Sequence, residues 1–234
     1  TEDKIDFDKL RSILGENVDS SNERYNFTWP GKYDANKESQ KRSTGTLRPY
    51  KDESKNWDTT KNLYIEGDNL EVLKLLQNSY YNKIKCIYID PPYNTGDDII
   101  YQNDYSDNLN TYLKLTGQIV TGEESKIKVS TNTESNGRYH SNWLNMMYPR
   151  LKLARNLLTD DGCIIVAIDH YELNNLIDIC DEIFNEDNRL GIITVVHKPE
   201  GRQHAKFFSA SNEYMIVYAK NKSFAKFNQV VLNE

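Results

Sequence analysis

The run Ile84-Lys85-Cys86-Ile87-Tyr88-Ile89, cut off by Asp90-Pro91-Pro92, constrains this chain more than any other feature. Six residues rich in β-branched and aromatic side chains read as a buried strand. Proline has no N–H to give to a ladder, so the strand must stop at Asp90. The flanking texture alternates in type. Asn62–Glu66 reads as a short strand, and Asn69–Gln77 as a helix striped by Leu70, Leu73, Leu75 and Leu76, with Asp68 placed to cap it. From Trp143 to Leu158 apolar residues recur at helical spacing, and Asp160-Asp161-Gly162 follows as a stop signal. Cys163–Ile168 is a second buried strand ending at Asp169-His170, and Leu173–Phe184 a second long amphipathic helix. Leu190–His197 and Ser211–Lys220 then read as two strands with no helix between them. Alternating strands and helices, closed by two consecutive strands, imply an α/β fold: parallel βαβ units and a final antiparallel pair.

Two regions follow from this pattern: an irregular N-terminal arm over 1–61, with one short helix near Phe7–Leu14, and an α/β domain over 62–234. The polar stretch 94–140 enters that domain as a long loop, a length that suits either a substrate clamp or a surface insertion. No apolar run approaches the roughly 20 residues of a membrane span, and the acidic, polar start carries no secretion signal. These features point to the cytoplasm. The three cysteines, Cys86, Cys163 and Cys180, form no CxxC pair, and they read as buried reduced thiols. The net charge of -6 speaks against a nucleic-acid partner only globally. Residues 196–228 gather Lys198, Arg202, Lys206, Lys220, Lys222 and Lys226 against Glu200 and Glu213, and local basic surface is what steers DNA. Lys41, Arg42, Arg48 and Lys51, near Tyr33, Tyr50 and Trp57, suit phosphate and base contacts but equally an ordinary solvated surface.

In open α/β sheets ligands sit at the carboxyl ends of the strands, where Asp90-Pro91-Pro92-Tyr93-Asn94 lies. That corner suits chemistry at an exocyclic amino group, whose lone pair is delocalised into its ring. Two acceptors aimed at the amino hydrogens, the Asp90 carboxylate and the Pro91 carbonyl, would localise the lone pair on nitrogen. Pro92 keeps the corner rigid, and Tyr93 can stack on a base taken out of a duplex. A direct displacement needs no covalent enzyme intermediate. No Pro-Cys dipeptide is present to supply the thiolate that C5-cytosine chemistry requires. The plainer alternative for the tetrapeptide is a strand-ending turn.

The stretch from Asn62 to Leu76, the segment Ile87-Tyr-Ile-Asp-Pro-Pro-Tyr-Asn-Thr-Gly96, His140 to Leu158, Asp161-Gly162 to Asp169, and Ala205-Lys206-Phe207-Phe208 carry a resemblance. Together they resemble the β-group DNA amino-methyltransferases, nearest the modification subunits of type III restriction–modification systems. The resemblance implies a partial Rossmann-like methyltransferase sheet over 62–234, with S-adenosylmethionine as donor and the N6 amino group of a flipped adenine in double-stranded DNA as acceptor. It implies Asp90, Pro91, Pro92 and Tyr93 as catalytic residues, and Tyr93 and Asn94 against the substrate. Asp68, Asp90 and Asp169 would lie at the cofactor. A homodimer and a restriction (nuclease and helicase) subunit are the partners it implies. For Asp68 and Asp169 helix capping remains open beside the cofactor role, and His170 reads as a helix-start residue rather than a base.

One departure qualifies the resemblance. The group's glycine-rich FxGxG loop has no counterpart here, where no GxG occurs and Gly117 and Gly122 stand alone. The expectation is therefore an N-terminal piece of a longer protein, with an exposed sheet edge and poor cofactor binding by itself. N4-cytosine or RNA amino-methyl transfer, or an inactive DNA-binding and assembly module, remain as alternatives.

Overall fold

The computed structural model describes residues 27–95, 139–197 and 211–228. The elements there are α1 (Lys32–Glu38), α2 (Asn69–Tyr80), β1 (Ile84–Ile89), α3 (Tyr139–Leu157), β2 (Leu158–Ile168), α4 (Leu173–Phe184), β3 (Arg189–Val196) and β4 (Asn212–Ala219). One 3₁₀ turn, Glu186–Asn188, separates α4 from β3. The expected helix near Phe7–Leu14, most of the polar loop and the Ala205–Phe208 segment lie outside the described residues.

The strands form one sheet in the order β1-β2-β4-β3. β1 and β2 run parallel, whereas β4 is antiparallel to both β2 and β3. The parallel unit followed by an antiparallel pair is thus present, but β1 is not the buried strand expected: it stands at an edge of this sheet, where Lys85, Cys86 and Tyr88 are exposed and none of its residues is buried. β2 lies inside the sheet, between β1 and β4, and its second half, Cys163–Ile168, is apolar throughout. Ile164, Val166 and Ile168 are fully buried on one face, beside Tyr218 and Ile216 of β4. Burying each such side chain contributes about 1.5–3 kcal/mol.

Two helices cover that face. α4 offers Leu176, Ile179, Cys180 and Phe184, one stripe at spacings of three and four, all buried. α3 offers Trp143, Met147, Leu151 and Ala154 to the same core. α2 begins as the sequence implied: the Asp68 carboxylate accepts from the Glu71 amide at 3.0 Å, satisfying one orphan donor of the first turn. Among the described residues no helix is long and apolar enough to cross a membrane.

Four further features depart from expectation. Asn62–Glu66 forms no strand; Leu63 and Tyr64 are exposed, and an extended segment without a neighbouring ladder gains nothing from strand geometry. β2 starts at Leu158, not Cys163, so Asp160-Asp161-Gly162 lies inside a strand. The reason is local: the ladder is irregular between Ile84 and Cys86, and a Cβ on Gly162 would stand 2.9 Å from the Thr159 carbonyl and 3.0 Å from that of Lys85. Only glycine admits so close a backbone approach at a bulge. Cys86 is exposed rather than buried, with its thiol 3.9 Å from that of Cys163. Burial and the neighbouring Cys86 push the Cys163 thiol up to about 11.

The fourth departure is α1, in a segment read as irregular. Gly31 opens it in the left-handed region at φ 95°, where a Cβ would also strike Asn145 at 2.4 Å. Ala35 then packs fully buried, and the buried Trp29 donates its indole N–H to Asn145 of α3 at 2.8 Å. An ionic strap completes the join. Lys74 of α2, almost fully buried, contacts Glu38 of α1 at 2.6 Å and Glu71 at 2.8 Å, and Lys41 meets the other Glu38 oxygen at 2.8 Å.

Candidate active site

Parallel pairing of β1 and β2 puts their carboxyl ends on one edge of the sheet, and the antiparallel β4 starts there, with Ile168 opposite Tyr214. α3 leads directly into β2, so its first turn returns to the same edge. The topology therefore converges five pieces of chain: Asp90–Asn94, the start of α3, Asp169, Glu172 at the head of α4, and Glu213 at the start of β4.

β1 ends at Ile89, and Asp90 is exposed. Pro91, Pro92 and Tyr93 are half-buried, and Asn94 is fully buried. Asn94 is left-handed at φ 62°, a conformation that asparagine tolerates better than most residues. Helix α3 grips this corner twice. The indole of the fully buried Trp143 donates to the Pro92 carbonyl at 2.7 Å, and the Tyr139 hydroxyl donates to the Asn94 carbonyl. Among the described residues no donor takes the Pro91 carbonyl.

A third grip comes from α4. The carboxylate of Glu172, with no exposed surface, accepts from the Asn94 side-chain amide, and His140 Nδ1 lies 2.7 Å from the same Glu172 oxygen. Asn175 donates to the other oxygen at 2.7 Å. Tyr93 packs against the core with its ring, while its hydroxyl donates to Glu213 at 3.3 Å, with the Asp90 carboxylate nearby. Burial, then the charges of Asp90 and Glu213, push the Tyr93 phenol far above its ordinary range, so it stays a donor.

The residues singled out in the sequence divide into three. Asp90, Pro91, Pro92, Tyr93 and Asn94 form the corner itself. Asp169, nine per cent exposed, lies at the same edge, but it does not cap α4: its carboxylate accepts from the Tyr171 amide, and the N-cap residue is Glu172. The chain makes a short Asx-type turn before the helix, which moves the cap three residues on. Asp68 serves α2 through its bond to Glu71. His170 is exposed, with its ring 4.3 Å from that of Tyr171. Among the described residues of the aromatic and basic surface, Lys51 lies 5.6 Å from the Trp57 ring, and Tyr33, Tyr50 and Trp57 are exposed.

Glu172, Glu213, Tyr139 and His140 are the residues that sequence reasoning passed over. For Glu213 a signal existed: an acid opens an otherwise apolar, alternating strand. For Glu172 and His140 the only sign was a polar residue beside a strand or helix end, where caps and loops also put one.

A family model described as DNA methylase, the N6/N4 methyltransferase model, matches residues 84–234. Over 225 residues the chain is 38% identical to the EcoP15I Mod subunit, a type III restriction-modification enzyme of Escherichia coli, covering 91% of this chain and 33% of that protein. It is 37% identical to the EcoPI Mod subunit of Escherichia phage P1, covering 96% and 35%, and 33% identical to the type II methyltransferase M.KpnI of Klebsiella pneumoniae, covering 77% and 39%. The chain spans about a third of the length of the Mod subunits it matches. Among solved structures, TTHA0409 of Thermus thermophilus, a DNA modification methylase by its description, superposes with a TM-score of 0.42 at 13% identity, covering 70% of this chain and 55% of that one.

Proposed function

The chain belongs to the N6/N4 family of DNA methylases, and from that premise we propose that Asp90–Tyr93 is the reaction corner of a DNA amino-methyltransferase. The acceptor is the N6 amino group of an adenine turned out of double-stranded DNA, and the donor is S-adenosylmethionine. The observation that carries the proposal is the division of acceptors at the corner. Trp143 occupies the Pro92 carbonyl and Tyr139 that of Asn94, whereas the Asp90 carboxylate is exposed and the Pro91 carbonyl is taken by no described donor. The two oxygens left over are the pair that an amino group requires.

The work of each residue follows from its surroundings. Asp90 and the Pro91 carbonyl accept the two amino hydrogens and draw the lone pair onto nitrogen. Two prolines in succession fix φ, and the Trp143 bond fixes the next carbonyl, so the acceptors need not reorganise as charge develops. The Tyr93 ring is only half-buried against the core, and its open part stacks on the base, a contact worth roughly 1–3 kcal/mol. Its hydroxyl, bonded to Glu213, sets the angle of the ring. Once the nitrogen carries a new bond it must lose a proton, and the exposed Asp90 carboxylate accepts it and passes it to water.

The cofactor suits the chemistry of the corner. Asp90 and Glu213 are carboxylates beside one another across the Tyr93 hydroxyl, a surrounding that favours a cationic sulfonium over a neutral or anionic group. Bound there, S-adenosylmethionine supplies an electrophilic methyl group. Asp90 is the residue best placed to face it, with Asp169 at the end of β2 and Asp68 at the head of α2 completing the set. Asn94, buried and bonded to Glu172, acts by shaping the corner rather than by touching the base. The partners in this reading are double-stranded DNA, a second copy of the chain and, in line with the names of the type III relatives, a restriction subunit, and the setting is the cytoplasm.

The test is transfer of labelled methyl from S-adenosylmethionine to DNA by the natural gene product, followed by digestion to nucleosides. Asp90→Ala should lower the rate by about 10²–10⁴-fold, the range of a lost acid–base and acceptor group. Label in N6-methyladenine supports the reading in full, and label in N4-methylcytosine overturns the adenine assignment alone. Unchanged transfer by Asp90→Ala overturns the site.

A further inference from the structure

Glu172 is an oddity for a helix-start residue. It occupies the N-cap position of α4, yet its side chain makes no capping bond to an amide of the helix. A carboxylate placed there ordinarily turns onto the free N–H groups of the first turn. This one instead reaches across to another part of the fold, and it does so without any exposed surface. Burying a charge costs several kcal/mol unless donors surround it. Three do: the Asn94 amide and His140 Nδ1 on one oxygen, and the Asn175 amide on the other. The positive end of the twelve-residue α4 adds to that stabilisation.

Resting on the reading of Asp90–Tyr93 given above, we infer that Glu172 is the positioning residue of the reaction corner. It acts through Asn94, which directly follows Tyr93. Asn94 is left-handed and therefore sets the direction in which the chain leaves the corner, and its side chain has Glu172 as its anchor. Release of that anchor loosens the Asn94 side chain and with it the downstream end of the turn, while Tyr139 still holds the Asn94 carbonyl and Trp143 that of Pro92. The Pro91 carbonyl and the Tyr93 ring, on either side of that hold, then lose their fixed relation to Asp90. The same Glu172 oxygen binds Nδ1 of His140, a residue more than half exposed at its side chain, so the rest of that imidazole is turned from the buried carboxylate toward the open edge. One buried carboxylate thereby sets two neighbours of the substrate space, although it touches no substrate itself.

Positioning makes a specific demand: the acceptor must be in place, but its charge need not be. Glu172→Gln retains an oxygen able to accept from Asn94, whereas Glu172→Ala retains none. In the natural gene product, Glu172→Ala should lower kcat about 10–100-fold per folded molecule while the KM for DNA changes less than about threefold, because a misaligned corner loses rate rather than affinity. Glu172→Gln should recover at least half of the lost logarithm of the rate. Asn94→Ala should reproduce the kcat loss, and in its presence Glu172→Ala should add little. Normal kcat per folded molecule in Glu172→Ala, with only a lower melting temperature, would assign Glu172 to stability and overturn the inference. No rescue by Glu172→Gln, or additive losses with Asn94→Ala, would overturn it as well. Asp90→Ala is run beside these variants: if it retains transfer the functional reading has failed, and if it is inactive while Glu172→Ala is normal only the present inference has failed.

Discussion

Two buried carboxylates tie elements of this molecule to one another, and they are satisfied in opposite ways. Glu38 is met by charges: Lys74 and Lys41 close around it, and the result ties α1 to α2. Glu172 is met by two side-chain amides and an imidazole, and the result ties the Asp90–Asn94 corner to the heads of α3 and α4. Ion pairing binds strongly but with little directional demand, since an ammonium group presents three rotatable donors. Amide donors are planar and fixed, so they transmit position. The strap therefore suits cohesion, and the corner suits alignment.

The largest effect should come from breaking the strap. Lys74→Met leaves Glu38 buried with only the half-exposed Lys41 beside it, and removal of one member of a buried pair costs about 3–5 kcal/mol. Urea unfolding should show that loss, while methyl transfer per folded molecule stays normal. A second substitution, Glu38→Leu, should restore much of it, because an apolar contact of similar volume often does as well as a buried pair. A rate loss in Lys74→Met would break the distinction between cohesion and alignment.

A smaller effect should mark the corner. Trp143→Phe keeps the ring in the core but removes the donor to the half-buried Pro92 carbonyl, a cost of about 1 kcal/mol. Its signature is a fall in kcat larger than the stability loss alone explains, measured at a temperature where the variant is fully folded. If stability and rate move as they do in Lys74→Met, the corner is no more directional than the strap.

The pH response should be the smallest and separates the two through sign. Burial works to raise Glu38, but Lys41 and Lys74 together outweigh it and hold the carboxyl below its ordinary 4.5. Burial likewise works to lower Lys74, but Glu38 and Glu71 outweigh it and hold the ammonium above its ordinary 10.5. A lowered acid contributes stability above its unfolded pKa and loses it as pH falls through the folded value. A raised base contributes below its unfolded pKa and loses it as pH rises through the folded value. The urea midpoint should thus decline on both sides of a broad plateau, below the ordinary glutamate range and above the ordinary lysine range. Glu38→Gln should flatten the acid side, and an unaltered acid side in that variant would remove the charge from the account of the strap.

Much of the fold could be read from residue patterns because several elements state themselves locally. The apolar run ending in two prolines predicted β1 over Ile84–Ile89, and the stripe of Leu176, Ile179, Cys180 and Phe184 predicted α4 over Leu173–Phe184. Lys32–Glu38 showed no stripe, since only Ala35 and Glu38 of α1 are buried and its helix is held by α2 and α3. Asn62–Glu66 showed a strand pattern, yet met no neighbouring strand among the described residues. Asp160-Asp161-Gly162 resembled a helix stop because glycine serves a helix end and a bulge equally well.

The candidate site divides along the same line. Short-range chemistry chose Asp90–Tyr93: an acid, two rigid residues and an aromatic ring in sequence carry their geometry with them, and the sequence by itself determined that corner. Whether Asp90 is open, which carbonyl Trp143 occupies, and that Glu172, from 78 residues away, holds Asn94 were decided by tertiary structure alone. A carboxylate reads alike in a cap, on a surface or in a buried network, and only the donors that folding brings around it distinguish the three.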